Sequence, residues 1–229
     1  MPAALNLDLA FAPWRLSGVV YGTLLNDPAA LAALGSAVHA APYKAPPRAP
    51  VLYLKPRNTL SASGAVVAAP TEGPLEVGAC LGIVIGRAAC RVAAVEADAV
   101  IAGYLLVADL CVPHQSFYRP SVRLRARDGS CVLGATRLPR SVVAQPDALT
   151  ITVSVDGRPV HTASTAGRLR PVAQLVQDVT EFMTLAPGDV LLLGVAAGAP
   201  SVRAGQSFAV EAAGFGRLEA SLVAETALA

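Results

Sequence analysis

The stretch "LEVGACLGIVIG", residues 75–86, decides how this chain has to fold. Read in alternation, Ala79, Leu81, Ile83 and Ile85 point to one side, as a core-facing strand requires. The other side carries Glu76, then Gly78, Cys80 and Gly82. Three small residues in a row leave room beside that face. A buried strand with one hollowed face predicts a sheet packed on one side and a cleft wall on the other.

The totals bound what can be built around this strand. The chain has 229 residues, 54% hydrophobic and 15% charged, enough apolar surface for one large domain. Residues 17–229 read as that domain and residues 1–16 as a loosely attached lead-in. No apolar run reaches the roughly 18 residues that cross a bilayer; "VLLLGVAAGA" (190–199) is short and broken by glycines. The N-terminus lacks a basic start and carries Asp8, which argues against a secretory signal. The net charge of +2 argues neither way, but with no lysine-rich run and no aromatic platform nucleic acid is not an expected partner. Cys80, Cys90, Cys111 and Cys131 form no CxxC pair, so free thiols in a reducing cytoplasm are expected.

Along the chain, Asp27 and Pro28 suit the N-cap and first turn of a helix through the following Ala/Leu stretch. "VLYLKPRNTL" (51–60) is a strand that stops at Lys55-Pro56, because proline removes a ladder donor. A short helix over Ala93–Ile101 leads through Gly103 into a strand ending near Asp109. "HQSFYRPSVRLRARDGSCVLGATRLP" (114–139) reads as a polar, basic loop. "ALTITVSVDGRPVHTAST" (148–165) is a hairpin turning at Asp156-Gly157. Val172, Leu175, Val176, Val179 and Phe182 form a helical stripe after Pro171. The C-terminal third is two β segments joined by glycine-rich turns. The class is α+β, mostly β, with a few short helices.

Several motifs carry a resemblance. "YLKPRNTL" (53–60), "LGIVIGRAACRVAAVEADAVIAGYLLVADL" (81–110), "VDGRPVHTAST" (155–165) and "LAPGDVLLLG" (185–194) occur in the order seen in the fumarylacetoacetate hydrolase family. The chain resembles that family from about Gly18 to Glu225. "PYKAPP", "KPRNT", "SFYRP" and "RDG" resemble the N-terminal half of its isomerase/decarboxylases of 4-hydroxyphenylacetate (homoprotocatechuate) degradation, which in some bacteria is a separate subunit. The resemblance implies a mixed β-sandwich roll with a central cleft. It also implies di- or tricarboxylate substrates of the oxo- and hydroxy-dienoic type, and a Mg²⁺ or Mn²⁺ ion that chelates them.

The same resemblance marks what is missing. The two metal-binding glutamates of the family's site strand align with Gly78 and Cys80, and the third ligand is retained as Asp109. One carboxylate binds Mg²⁺ weakly, so little or no bound metal is expected. Glu76 and Cys111 are the available substitutes, and thiolates favour softer metals. Asp109 is either a relic ligand or a structural acid capping backbone N–H groups. The family's threonine and proline in the glycine turn are Val195 and Ala196, while its hairpin threonine is kept as Thr165. The family lysine that meets a substrate carboxylate aligns with Arg125, and Lys55 matches the Lys-Pro strand.

Tyr118 with Arg119, Arg123, Arg125 and Arg127 makes an anion-binding candidate, since an extended run cannot point every arginine away from a cleft. For Arg123 and Arg127 a solvated loop paired with acids such as Asp128 is the competing reading. Of the three histidines, only His114 lies near the cleft segment, a weak candidate for acid–base chemistry. Two functions therefore stand. One is an isomerase/decarboxylase that works with a metal-bearing paralogous subunit or as a homodimer. The other is a non-catalytic or polycarboxylate-binding subunit kept for its interface.

Overall fold

The computed structural model describes residues 18–118 and 121–225. The expected lead-in at 1–16 therefore lies outside the described residues, as does Arg119. The chain opens with strand β1 (Val20–Leu24) and helix α1 (Pro28–Ala32), followed by strands β2 (Val51–Lys55), β3 (Leu60–Ala62), β4 (Ala65–Ala69) and β5 (Leu75–Ile85). Helix α2 (Ala97–Val100) feeds β6 (Ile101–Cys111); then come α3 (Val122–Arg125), β7 (Cys131–Leu133), β8 (Leu138–Pro139), β9 (Thr150–Val155) and β10 (Arg158–Ser164). Helix α4 (Val172–Thr180), β11 (Val190–Leu192), β12 (Ser201–Val202), β13 (Ser207–Ala212) and β14 (Gly216–Ala224) complete the described chain.

These strands form two mixed sheets. The larger runs β2-β1-β11-β5-β6-β7-β3, with β12 beside β5 and β8 beside β6; the smaller runs β10-β9-β13-β14-β4. β5 and β6 are each 11 residues long and pair antiparallel along nearly their whole length, which makes them the spine of the molecule. Leu75, Val77, Ala79, Leu81, Ile83 and Ile85 of β5, with Leu106, Ala108 and Leu110 of β6, face the smaller sheet. They meet Ile151, Val153, Phe208, Val210 and Leu218 there, and α4 adds Leu175, Val176 and Val179. Each fully buried branched side chain in this layer contributes about 1.5–3 kcal/mol.

The opposite face curls on itself. Cys80 and Val84 of β5, Leu105 and Val107 of β6, Cys131 and Leu133 of β7, Val20 of β1 and Val190 and Leu192 of β11 form a second, smaller apolar cluster. The hollow read from Gly78 and Gly82 is filled. A Cβ on Gly82 would lie 3.0 Å from both Val107 Cγ2 and Val190 Cγ1, and one on Gly78 would lie 2.6 Å from Val195 Cγ2. Branched side chains from neighbouring strands and the 193–197 turn occupy the space that the glycines leave.

Local departures have local causes. The helix after Asp27 stops at Ala32 and continues as a 3₁₀ turn over Gly35–His39. Gly35 takes φ +53°, and α1 buries no residue, so nothing beyond propensity extends it. The Asp156-Gly157 turn has positive φ at both residues (48° and 77°), as a two-residue hairpin requires. Helix α4 buries Val172, Leu175, Val176 and Val179, but Phe182 falls past its end and is 63% exposed. The 114–139 segment is not wholly irregular, since α3 interrupts it. No helix among the described residues is long and apolar enough to cross a membrane.

Candidate functional site

The β-sheet registers assemble the site. Gly78 pairs with Asp109, Cys80 with Val107 and Glu76 with Cys111 across β5 and β6. Across β1 and β2, Val20 pairs with Lys55 and Gly22 with Tyr53. Period-two alternation puts Tyr53 and Lys55 on one face of β2. A Cβ on Gly22 would sit 1.9 Å from Tyr53 Cζ, so the phenol ring lies across β1 only because residue 22 has no side chain.

Asp109 is the centre of this arrangement, and its side chain is fully buried. Lys55 Nζ lies 2.6 Å from Oδ1 and Arg125 Nη1 lies 3.3 Å from Oδ2. The Tyr53 hydroxyl donates to Oδ2. Lys55 also donates to the carbonyls of Leu110 (3.0 Å) and Arg125 (2.7 Å) and to Ser130 Oγ (3.2 Å). Arg125 stacks over the Tyr53 ring, 4.7 Å from its centroid. Asp109 is thus held by side chains, which corrects the reading of it as a cap for backbone N–H groups.

The electrostatics follow from burial. Desolvation and then the Asp109 charge hold the Tyr53 hydroxyl well above its ordinary pKa, so it is a neutral donor. Desolvation and Asp109 likewise push the Cys80 thiol well up, and burial raises Cys131 and Cys111 to about 12. For Arg125, burial alone would lower the pKa, but Asp109, with smaller contributions from neighbours such as Glu76, outweighs that and raises it.

The divalent cation implied by the family does not fit these residues. Gly78 offers no ligand atom, Cys80 is a buried neutral thiol, and Asp109 is already bound by two cations and a hydroxyl. Cys111 donates its thiol hydrogen to Glu76 Oε2 at 3.7 Å, a pair without a third member. Among the described residues no group of three His, Cys, Asp or Glu side chains could hold a metal.

The remaining sequence candidates sit apart from Asp109. The arginine run is not extended: α3 turns Arg125 inward, leaves Arg123 exposed and sends Arg127 to Glu225. Asp128 accepts from Asn58 Nδ2 at 2.6 Å instead of pairing with the arginines. Tyr118 is exposed, edge-on to Tyr43 at 6.0 Å. His114 Nδ1 lies 2.9 Å from the carbonyl of Val112, two residues before it. The Thr165 hydroxyl donates to Pro146 O (2.7 Å) and accepts the Leu149 N–H (2.8 Å), closing the base of the hairpin.

One residue has no counterpart in the sequence reading. Arg168 lies beyond the hairpin with a side chain only 3% exposed, and its Nη1 is 3.3 Å from Asp27 Oδ1. Asp27 Oδ2 in turn accepts the Ala197 N–H at 2.7 Å. Arg168 is thereby tied to the same 193–197 turn whose Val195 covers Gly78. No spacing signal marks it, because a lone arginine after a hairpin has no periodic partner. Tyr53 was legible in principle, two residues before Lys55 on the same strand face.

Known proteins share this frame. Residues 19–223 match the model of the fumarylacetoacetate (FAA) hydrolase C-terminal family. The 4-hydroxyphenylacetate degradation bifunctional isomerase/decarboxylase of Escherichia coli is 36% identical over 210 residues, 92% of this chain and 48% of that protein. The chain thus spans about half the length of the curated relatives it matches first. The crystal structure of 2-hydroxyhepta-2,4-diene-1,7-dioate isomerase from Mycobacterium marinum aligns with a TM-score of 0.76 at 25% identity, covering 92% of this chain and 76% of that one. Fumarylpyruvate hydrolase from Pseudomonas aeruginosa, solved with Mn²⁺ and pyruvate, shares the fold at a TM-score of 0.76 and 24% identity, covering 90% of each chain. On its sequence and its two-sheet architecture alike, this chain belongs to the fumarylacetoacetate hydrolase family.

Proposed function

We propose that this chain is the metal-free component of a 4-hydroxyphenylacetate-pathway isomerase/decarboxylase. It corresponds to the N-terminal half of the bifunctional relatives and works with a metal-bearing paralogous subunit. The activity of that assembly is isomerisation of a 2-hydroxyhepta-2,4-diene-1,7-dioate and decarboxylation of the related tricarboxylate. The half-length match to the bifunctional relatives supports a partner domain or subunit. A homodimer of this chain alone would lack the carboxylate ligands that a dication needs.

One observation carries the reading: the retained family acid, Asp109, is neutralised by Lys55 and Arg125 opposite a residue with no side chain. A buried carboxylate already paired with an ammonium would have to give up that ion pair to bind a metal. Within this chain no catalytic step is assigned to a metal. The free cysteines support a reducing, cytoplasmic setting.

The test is turnover of a 2-hydroxy-dienedioate by the purified chain with and without Mg²⁺ or Mn²⁺, and again after co-expression with a paralogue that keeps both site glutamates. The expected result is no metal-stimulated turnover alone and activity in the co-purified assembly. Magnesium-stimulated turnover by the isolated chain would overturn the reading. Absence of turnover in either form favours the non-catalytic, polycarboxylate-binding alternative.

A further inference from the structure

The entry to β1 lies beside an apolar groove. Gly18, Val19, Leu54, Pro56, Arg57 and Leu60 are among the residues lining a space of about 230 Å³ there. Val19 is 42% and Leu54 56% exposed. Leu54 points from the face of β2 opposite to Tyr53 and Lys55, as alternation requires. One exposed leucine is ordinary, but apolar side chains gathered around one groove gain from being covered. β2 is also an edge: among the described residues it pairs with β1 alone. An open edge presents unpaired N–H and C=O groups to any extended segment that reaches it.

The stretch just before Gly18 has a composition that matches this surface. Residues 5–16 read "LNLDLAFAPWRL". Leu5, Leu7, Leu9 and Phe11 alternate with Asn6, Asp8 and Ala10, the pattern of a strand with one apolar face. With Trp14 and Leu16 they make six large apolar side chains in twelve residues, more than a solvated tail carries. Trp14 stands four residues before Gly18, so its Cα lies within about 14 Å of a residue that lines the groove, whatever path the chain takes. An apolar cavity of roughly 150 Å³ holds a benzene ring, and the larger groove has room for an indole. Exposed Arg57 offers a cation to the face of such a ring.

We propose that residues 5–17 fold back over the β2 edge of their own chain, with Trp14 seated in this groove. A segment tethered at Gly18 presents its indole at an effective concentration on the order of millimolar, which a separate partner would have to exceed. Covered in this way, β2 no longer offers an edge to a second molecule. The strap also closes the groove beside Lys55, which lines it and whose ammonium holds Asp109. The proposal does not depend on the reading of the site as metal-free.

Trp14 is the chain's single tryptophan, so tryptophan fluorescence of the full chain reports on it alone. The expected result is a blue-shifted emission, with acrylamide quenching several-fold weaker in the folded protein than in urea. The tryptophan signal should also change at the same urea concentration as the far-UV circular dichroism, because docking needs the folded groove. An emission that is already that of the unfolded chain, or flat through the transition, overturns the proposal, and this arm needs no variant. Leu54→Asp puts a charge into the groove at an exposed position and should restore quenching, while Val160→Asp on β10, where Val160 is 51% exposed, should not. Circular dichroism confirms that both variants fold. A tryptophan still protected in folded Leu54→Asp is buried elsewhere, which overturns the assignment. Protection that fades on dilution means that a second copy supplies the cover, and overturns it too.

Discussion

Gly78 and Asp109 face each other across β5 and β6, so close that a Cβ on Gly78 would lie 2.8 Å from the Asp109 carbonyl oxygen. Val195 Cγ2 closes the same space from above at 2.6 Å. Position 78 thus has no room for a side chain of any size.

Gly78→Ala is therefore an overpacking substitution, with an expected loss of about 1–3 kcal/mol. Val195→Ala combined with it should recover part of that loss, since one contact is with a side chain and the other with backbone. Urea unfolding of the two single variants and the double variant measures the coupling. Additive effects would contradict the shared space.

Lys55→Met leaves Asp109 buried with only Arg125 and Tyr53, and should destabilise by about 3–5 kcal/mol. Lys55→Met with Asp109→Leu should recover much of it, because an apolar pair can replace a buried ion pair with little loss. The readout is the urea midpoint at constant m-value. Tyr53→Phe, which removes only the hydroxyl donated to Asp109, should cost about 1.5–3 kcal/mol.

The buried thiols predict alkaline sensitivity. Cys111 and Cys131 titrate near 12 when folded, against about 8.5 in the unfolded chain. Their folded pKa values are raised, so this contribution to stability is fully present below about pH 8.5. It is lost progressively as the pH climbs towards 12, where the unfolded chain has released protons that the folded one keeps. Stability measured from pH 8 upwards should fall, with a shallower slope in Cys131→Val and an unchanged one in Cys90→Ser, whose thiol is exposed. Only Cys90 should react rapidly with a thiol reagent at neutral pH.

Asp156 predicts the acid side. Its carboxylate accepts the Ser207 N–H (2.8 Å) and Gln206 Nε2–H (2.9 Å), and these bonds lower its pKa. That contribution is present above the unfolded carboxylate value and is lost as the pH falls through the folded one. Asp156→Asn should flatten the acid limb of the stability curve at the end of the β9–β10 hairpin. Equal acid limbs in both proteins would remove the assignment.

The parts of the fold written in local pattern were legible in the chain. The alternation of 75–85 placed Ala79, Leu81, Ile83 and Ile85 in the main core, Asp156-Gly157 marked a hairpin, and the stripe of α4 was readable to Val179. That positions 78 and 80 carry no acid was also visible, because it needs only the residues themselves. What filled their place was not. Val195, Lys55 and Arg125 come from three distant segments, and their meeting at Asp109 depends on the β1–β2 and β5–β6 registers and on the turn of α3.

The sequence by itself determined that this chain has a two-faced central strand with Gly78, Cys80 and Gly82 on one side and an ample apolar core, since those are properties of residue type and period. Only the tertiary structure decided that Asp109 is tied to an ammonium, and that Arg168 is buried against Asp27, which also holds the Ala197 N–H. Ion pairs and buried donors are set by distances between segments up to 170 residues apart, and no local pattern encodes such distances.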